Sequence, residues 1–429
     1  MSKTTLASAG PLRGYRVLDL AGELAVLAGK MFADLGADVI AVEPPGGSPM
    51  RRIPPFLSEP AGPEDSSYFQ AMAAGKRSVV LDLTRPQARD LLRRLADGAD
   101  FFIESFPVGE SEALGLSYEV LAARNPRLIY TSVTPFGDRG PGASWQAADI
   151  TGWAAGGMMA MMGTPGRPPL QVSVPQAFSH AGSEAAVASM LAHLERERSG
   201  RGQQVVISMQ AAGVWATNVE TAFPVLENRS LERTGIIPAG SPRGSLYRCA
   251  DGYVQLMIGG GMLLATTLGL LEWRRESGPL PGAVDAIDFT AWTPDRHTDP
   301  GFRAELAACD AVISDLLLGL PKAEIARRAD DSGWMIAPVG TMADVATDRQ
   351  LAARDFYQRV SHPDLGRELE LVGPFARLSG SPAPPARRAP MLGEHTAEVL
   401  RVGLGLATPD IAALEEAGVV GLARAGAHR

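Results

Sequence analysis

The chain predicts an α/β protein built on a mostly parallel sheet. Over the first 135 residues, short β-rich runs alternate with helical patterns of ten to twelve residues, the order that right-handed βαβ units require. The helical patterns end at glycine or start at proline, as real helices do. The residue balance, 45% hydrophobic and 21% charged, is that of a globular chain able to bury a core without metals or disulfides.

Arg16 to Leu20 (RVLDL) reads as the first strand, and Leu24 to Leu35 as a helix closed by Gly36. Asp38 to Val42 is the second strand and Ser78 to Asp82 the third. Pro86 to Ala96 has helical spacing with proline in the first turn, where its missing N–H costs nothing. Phe101 to Ile103 and Leu128 to Val133 complete the series. Ser183 to Glu195 is rich in alanine and leucine and ends on the basic RERSGRG, which suits a helix C-terminus. Gln204 to Met209 returns to strand. The texture then changes. Ser241 to Ile258 predicts a hairpin turning at Asp251-Gly252, and Glu276 to Pro300 an irregular connection. Pro321 to Arg328 resumes helix, and the proline-rich Gly373 to Arg388 is expected to cross a surface.

At roughly 150 residues per domain, 429 residues make two or three units. Acidic residues outnumber basic ones, 48 to 40, so a general nucleic-acid backbone binder is not expected. Two cysteines, Cys249 and Cys309, and six scattered histidines provide no metal-ligand spacing, so no metal site is expected. No secretory signal or membrane-length apolar run occurs, and the expected location is the cytoplasm.

No phosphate loop, dinucleotide glycine fingerprint or GxSxG elbow is present; after the first strand stands AGELAVLAG. Gly259-Gly260-Gly261 is read as a structural turn ahead of a ligand loop. The Met-rich segment Gly156 to Gly163 suits an aromatic or alkyl-bearing ligand, but core filling is the favoured reading.

Six segments in order resemble the class III CoA-transferases of the CaiB/BaiF type. They are PLRGYRVLDL, FADLGADVIAVEPPGG (Phe32 to Gly47), GKRSVVLDL (Gly75 to Leu83), NPRLIYTSVTPFGDRGP (Asn125 to Pro141), SGRGQQVVISMQ (Ser199 to Gln210) and APMLGEHTAEVL (Ala389 to Leu400). The resemblance implies a Rossmann-like large domain made from residues 1–220 and 331–429, a smaller α+β domain at 221–330, and two protomers interlocked like links of a chain. It implies coenzyme A or an acyl-CoA as substrate, with no permanently bound cofactor. The implied reaction moves CoA from an acyl-CoA to a carboxylate through an Asp nucleophile: a mixed anhydride forms, CoA thiolate converts it to an enzyme thioester, and the incoming acid takes over the CoA.

The family's Asp aligns with Phe178, in VPQAFSHAG, with the downstream glycine kept as Gly182. Phenylalanine cannot form an anhydride. Ser179 and His180, as adjacent residues, are poor candidates for a nucleophile and its base. The histidine of the racemase branch aligns with Ala148, leaving Asp149, whose catalytic reading competes with capping a helix that begins at Ile150. The family's loop after the first strand is replaced by Leu24-Ala25-Val26-Leu27, a basic position after Glu43 is Pro44, and an expected Arg is Ala113. The covering glycine loop is reduced to GSPRG at Gly240 to Gly244. Lys76, Arg77, Ser105 and Phe106 match CoA-lining positions. The two cations meet either a phosphate or solvent, and Phe106 either stacks on adenine or packs internally.

The leading expectation is therefore a CoA-transferase subunit with no catalytic residue of its own, paired with a homologous subunit that carries the Asp. Heteromeric succinyl-CoA:(R)-benzylsuccinate CoA-transferase sets the precedent. The alternatives are a self-sufficient transferase, racemase or isomerase using another acid, and a non-catalytic CoA-ester binder.

Overall fold

The computed structural model describes residues 10–423, apart from 219, 227, 229–232, 234–244, 294–295 and 297–298. The GSPRG segment lies outside the described residues. Two units divide the chain. One comprises Met1–Met158, Gln171–Asn228 and Arg349–Arg429, and the other Met159–Leu170 and Arg229–Asp348.

The first unit is built on β1 (Arg16–Leu20), β2 (Asp38–Glu43), β3 (Arg77–Leu81), β4 (Phe101–Glu104), β5 (Ile129–Thr134) and β6 (Gln204–Ser208). Within the same chain order, β7 (Leu246–Cys249), β8 (Gly252–Leu256) and β9 (Ile336–Pro338) belong to the second unit, while β10 (Tyr357–His362), β11 (Arg367–Val372) and β12 (Val420–Gly421) return to the first. The large sheet has the order β12-β3-β2-β1-β4-β5-β6, parallel throughout except for β12 against β3. Successive strands run outward from β1 to β3, and the chain then restarts on the other side at β4. The topological switch therefore lies between β1 and β4, where open α/β sheets place their ligands at the carboxyl ends.

Helices α1 (Val26–Asp34), α2 (Ser67–Met72), α3 (Pro86–Ala96), α4 (Glu110–Leu114), α5 (Tyr118–Arg124), α6 (Asp149–Ala155), α7 (Met158–Met161), α8 (Gln176–Ser199) and α9 (Met209–Ala216) follow in order. Leu91, Leu92 and Leu95 of α3 bury one sheet face with Leu18, Ile40, Leu81, Phe102 and the later helix residue Leu400. On the other face, Phe32 of α1 meets Phe101 with ring centroids 4.8 Å apart. Burial on both faces explains why these strands read as apolar-rich runs without strict alternation.

The sequence placed the first six strands within a residue or so. Helix α8 is the main departure, beginning at Gln176 instead of Ser183 and extending to 24 residues. Phe178 thus sits in a helical first turn.

The second unit packs the antiparallel sheet β7-β8-β9 against helices Leu264–Arg275, Pro300–Leu318 and Lys322–Ser332, around Val254, Leu256, Leu270, Cys309, Ile313 and Ile325. The predicted hairpin is present, but Cys249 pairs with Gly252, so its two loop residues are Ala250 and Asp251. At Gly260 a Cβ would stand 2.2 Å from the Trp292 carbonyl oxygen, so this glycine serves close packing. Residues 374–390 run without regular structure, and the Gly75 N–H donates to the Arg388 carbonyl. Both cysteines are buried and unpaired by disulfide.

Candidate active site

The carboxyl ends of β1 and β4 are stitched together by the residues that follow them. The Gly22 N–H donates to Ser105 Oγ at 2.8 Å. Glu104, which ends β4 and is buried, accepts from the Phe106 N–H at 2.5 Å and from the Tyr130 hydroxyl at 3.3 Å. Burial pushes the Glu104 carboxyl up to about 6, against the opposing pull of these hydrogen bonds. Ser105 and Phe106 accordingly border the switch-point crevice.

Helix α8 begins beside α1. At Gly182 a Cβ would lie 3.0 Å from Leu27 Cβ and 3.3 Å from the Ala28 nitrogen, so glycine is what lets the two helices approach. This packing brings the loop preceding α1, with Glu23, toward the first turns of α8. There Asp149 Oδ1 accepts the Phe178 N–H at 2.9 Å, and Asp149 Oδ2 accepts from Gln171 Nε2 at 3.2 Å. Asp149 is the first residue of α6, yet its carboxylate caps α8. The expected local cap at Ile150 is replaced by a cap across 29 residues of sequence.

Three titratable groups converge near this cap. The Glu23 carboxyl is raised by burial and then by the neighbouring Asp149 charge. The Tyr68 phenol, on α2, is raised by burial and by both Glu23 and Asp149. Glu23 and Tyr68 were not singled out in the sequence. The available signal was that Glu23 is the sole charged residue between Asp19 and Lys30.

The remaining expected residues are engaged as follows. Lys76 Nζ lies 2.8 Å from Asp19 Oδ2 and donates to the Val26 carbonyl at 3.2 Å, with its side chain 2% exposed. Gly29 makes the space, since a Cβ there would come within 2.0 Å of Asp19 Oδ2. Arg77 opens β3 at the amino ends of the parallel strands and pairs with Asp38 at 3.1 Å and Glu398 at 3.3 Å. Both charges are thus matched by carboxylates of the fold. Ser179 Oγ donates to the Pro175 carbonyl at 2.7 Å, a bond within the first turn of α8. Leu24 is half-buried, while Pro44 and Ala113 are exposed. Glu43 is buried and engaged by Arg51 at 2.7 Å, Ser78 Oγ at 2.6 Å and the Ser48 N–H at 2.9 Å. Its burial opposes ionisation, but Arg51 and these donors hold it below the usual carboxylate range. Among the described residues, no group of three or more His, Cys, Asp or Glu is placed to hold a metal ion.

Known proteins match this chain along nearly its whole length. The family model for CoA-transferase family III matches residues 12–396. The subunit BbsE of succinyl-CoA:(R)-benzylsuccinate CoA-transferase from Thauera aromatica is 33% identical over 389 residues, covering 90% of this chain and 92% of that one. A succinyl-CoA–D-citramalate CoA-transferase from Chloroflexus aurantiacus is 31% identical, covering 96% and 98%. The crystal structure of a CaiB/BaiF family protein from Brucella suis superposes with a TM-score of 0.80 at 28% identity, covering 92% of this chain and all of that chain. Sequence match and fold match span the sheet, its switch point and α8 together, and the chain belongs to CoA-transferase family III.

Proposed function

We propose that this chain is a subunit of a CoA-transferase that moves CoA from an acyl-CoA, succinyl-CoA foremost, to a carboxylic acid, with the nucleophilic Asp supplied by a homologous partner subunit. The observation that carries this reading is Phe178. It stands in the first turn of α8, at the position that the resemblance aligns with the family's Asp, and the neighbouring acid, Asp149, is engaged as a cap. A ring without a nucleophilic atom cannot open a thioester, so the anhydride has to form on another carboxylate.

Two further facts support a partner. A relative of comparable length is itself named as a subunit. Along α8, Val187, Leu191 and Leu194 are 57–63% exposed at helical spacing, and with Met31, Leu35 and Phe375 they line an apolar groove of about 480 Å³. A contiguous apolar face of this kind marks an association surface. An interlocked assembly would cover it, and such a threaded architecture gives a reason to retain a subunit without its own nucleophile.

One observation favours the second reading, a self-sufficient enzyme. Glu23 brings a carboxyl to the same region from the opposite loop, beside Asp149 and Tyr68. The readings separate by assaying CoA exchange between succinyl-CoA and a panel of carboxylic acids. Turnover only after co-expression with an Asp-bearing relative supports the subunit. Turnover by the chain alone that is lost in Glu23→Gln supports the second reading. CoA binding without turnover in either preparation leaves a binding protein.

A further inference from the structure

The loop between β5 and α6 carries an aromatic pair that the reading above does not use. Trp145 is 59% exposed, unusual for so large an apolar ring, yet it is held in place. Phe136 meets it edge to face, with centroids 5.6 Å apart at 77°. Beneath the ring lies Gly142, where a Cβ would stand 3.1 Å from Trp145 Cε3, closer than a side chain is normally tolerated. The Trp145 backbone N–H donates to the Gly142 carbonyl at 3.0 Å, closing the turn that carries the ring, and the Gly137 N–H donates to Thr134 Oγ1 at 3.0 Å, fixing the start of the loop. The ring is supported from below and along one edge, and its remaining surface is open. A rigid aromatic surface contributes contact area with little loss of side-chain entropy on binding.

Its position favours one class of ligand. The loop leaves the carboxyl end of β5, the edge of the sheet at which ligands of this architecture sit. Trp145 stands four positions before Asp149, so the two Cα atoms are at most about 14 Å apart. Asp149 in turn holds the N–H of Phe178. The platform therefore lies on the loop that leads to the carboxylate holding Phe178, the side of the site assigned above to the reacting carboxylate, whereas the adenine of CoA would lie beyond the whole pantetheine arm.

We propose that Trp145, braced by Phe136 and Gly142, is a stacking platform for the aryl ring of the carboxylic acid or of its CoA thioester, making this chain the specificity-determining wall for an aryl-bearing acid. The proposal rests on the CoA-transferase reading and names the substrate class of that site.

The test uses the full chain, together with its Asp-bearing relative where the two co-purify. Dissociation constants are measured for 3-phenylpropionate, butyrate, CoA and pantetheine with wild type, Trp145→Ala and Trp145→Phe. Wild type is expected to prefer the aryl acid over butyrate. Trp145→Ala should weaken 3-phenylpropionate about tenfold. The same variant should leave butyrate, CoA and pantetheine within twofold, and Trp145→Phe should restore most of the loss. Weakened CoA with unchanged 3-phenylpropionate would assign the ring to adenine and overturn the proposal. So would absence of an aryl preference in wild type, or a change in assembly mass in Trp145→Ala, which would make Trp145 a subunit contact. CoA binding by wild type is the separate control: if CoA binds without aryl preference, the platform alone fails, and if neither CoA binding nor transfer is seen, the functional reading fails too.

Discussion

At position 178, restoring a carboxylate is not expected to restore the reaction. Phe178→Asp would place a new carboxylate at the α8 start, alongside Asp149 and the Glu23 carboxyl. Like charges in a partly buried space raise one another's pKa, leaving a poorer nucleophile. The expected outcome is a folded, somewhat destabilised subunit that remains inactive with a partner whose own Asp has been removed. Steady-state CoA transfer measures this, and strong activity in that pairing would show an intact site here. Glu104 gives a second test. Its carboxyl is raised from 4.5 to about 6 in the fold, so between those values the folded state binds more protons than the unfolded chain. Stability consequently falls as pH rises through this window, by about 2 kcal/mol. Glu104→Gln keeps an acceptor for the Phe106 N–H and should flatten that dependence. Urea unfolding at pH 4.5 and pH 7 checks it, and an unchanged slope would discard the assignment.

At the scale of elements, the close approach of α1 and α8 depends on a missing side chain. Gly182→Val would drive methyl groups into Leu27 and the Ala28 backbone, and the loop carrying Glu23 would move with α1. Overpacking of this kind costs about 1–3 kcal/mol. The expected result is a lower urea midpoint together with weakened CoA binding, and an unchanged midpoint would show that the helices separate freely. The same elements explain a limit of sequence reading. The start of α8 is hard to read because Gln176 to Gly182 offers only Ala177, Phe178 and Ala181 as apolar positions and its cap comes from Asp149, far outside any local window. Strands β1 to β5 were legible because burial on both faces writes itself as short apolar-rich runs without strict alternation.

For the whole molecule, the exposed stripe on α8 predicts association. The chain expressed alone is expected to be poorly soluble or to form a slow dimer, and co-expression with an Asp-bearing relative should yield a stable complex. Leu191→Glu combined with Leu194→Glu should abolish that complex, because both side chains are more than 60% exposed in the single chain and would enter the interface as charges. Sedimentation velocity reads both outcomes. A stable, well-folded monomer of the unaltered chain would remove the basis for an obligate partner.

The amino-acid sequence by itself determined the α/β class, the strand order in sequence, the family and the absence of a carboxylate at position 178. Each is carried by residue type at a fixed spacing, which needs no third dimension. Only the tertiary structure decided how charges are spent. Lys76 and Arg77 look alike as neighbouring cations, yet Lys76 turns inward to Asp19, 57 residues earlier, while Arg77 meets Asp38 and Glu398 at the amino ends of the strands. Likewise Asp149 serves a helix that starts after it, and Glu23 reaches the same region from the loop after β1. Ion pairs, caps and pKa shifts depend on distance and burial in space, and residues far apart in the chain acquire both only when the sheet and its helices close around them.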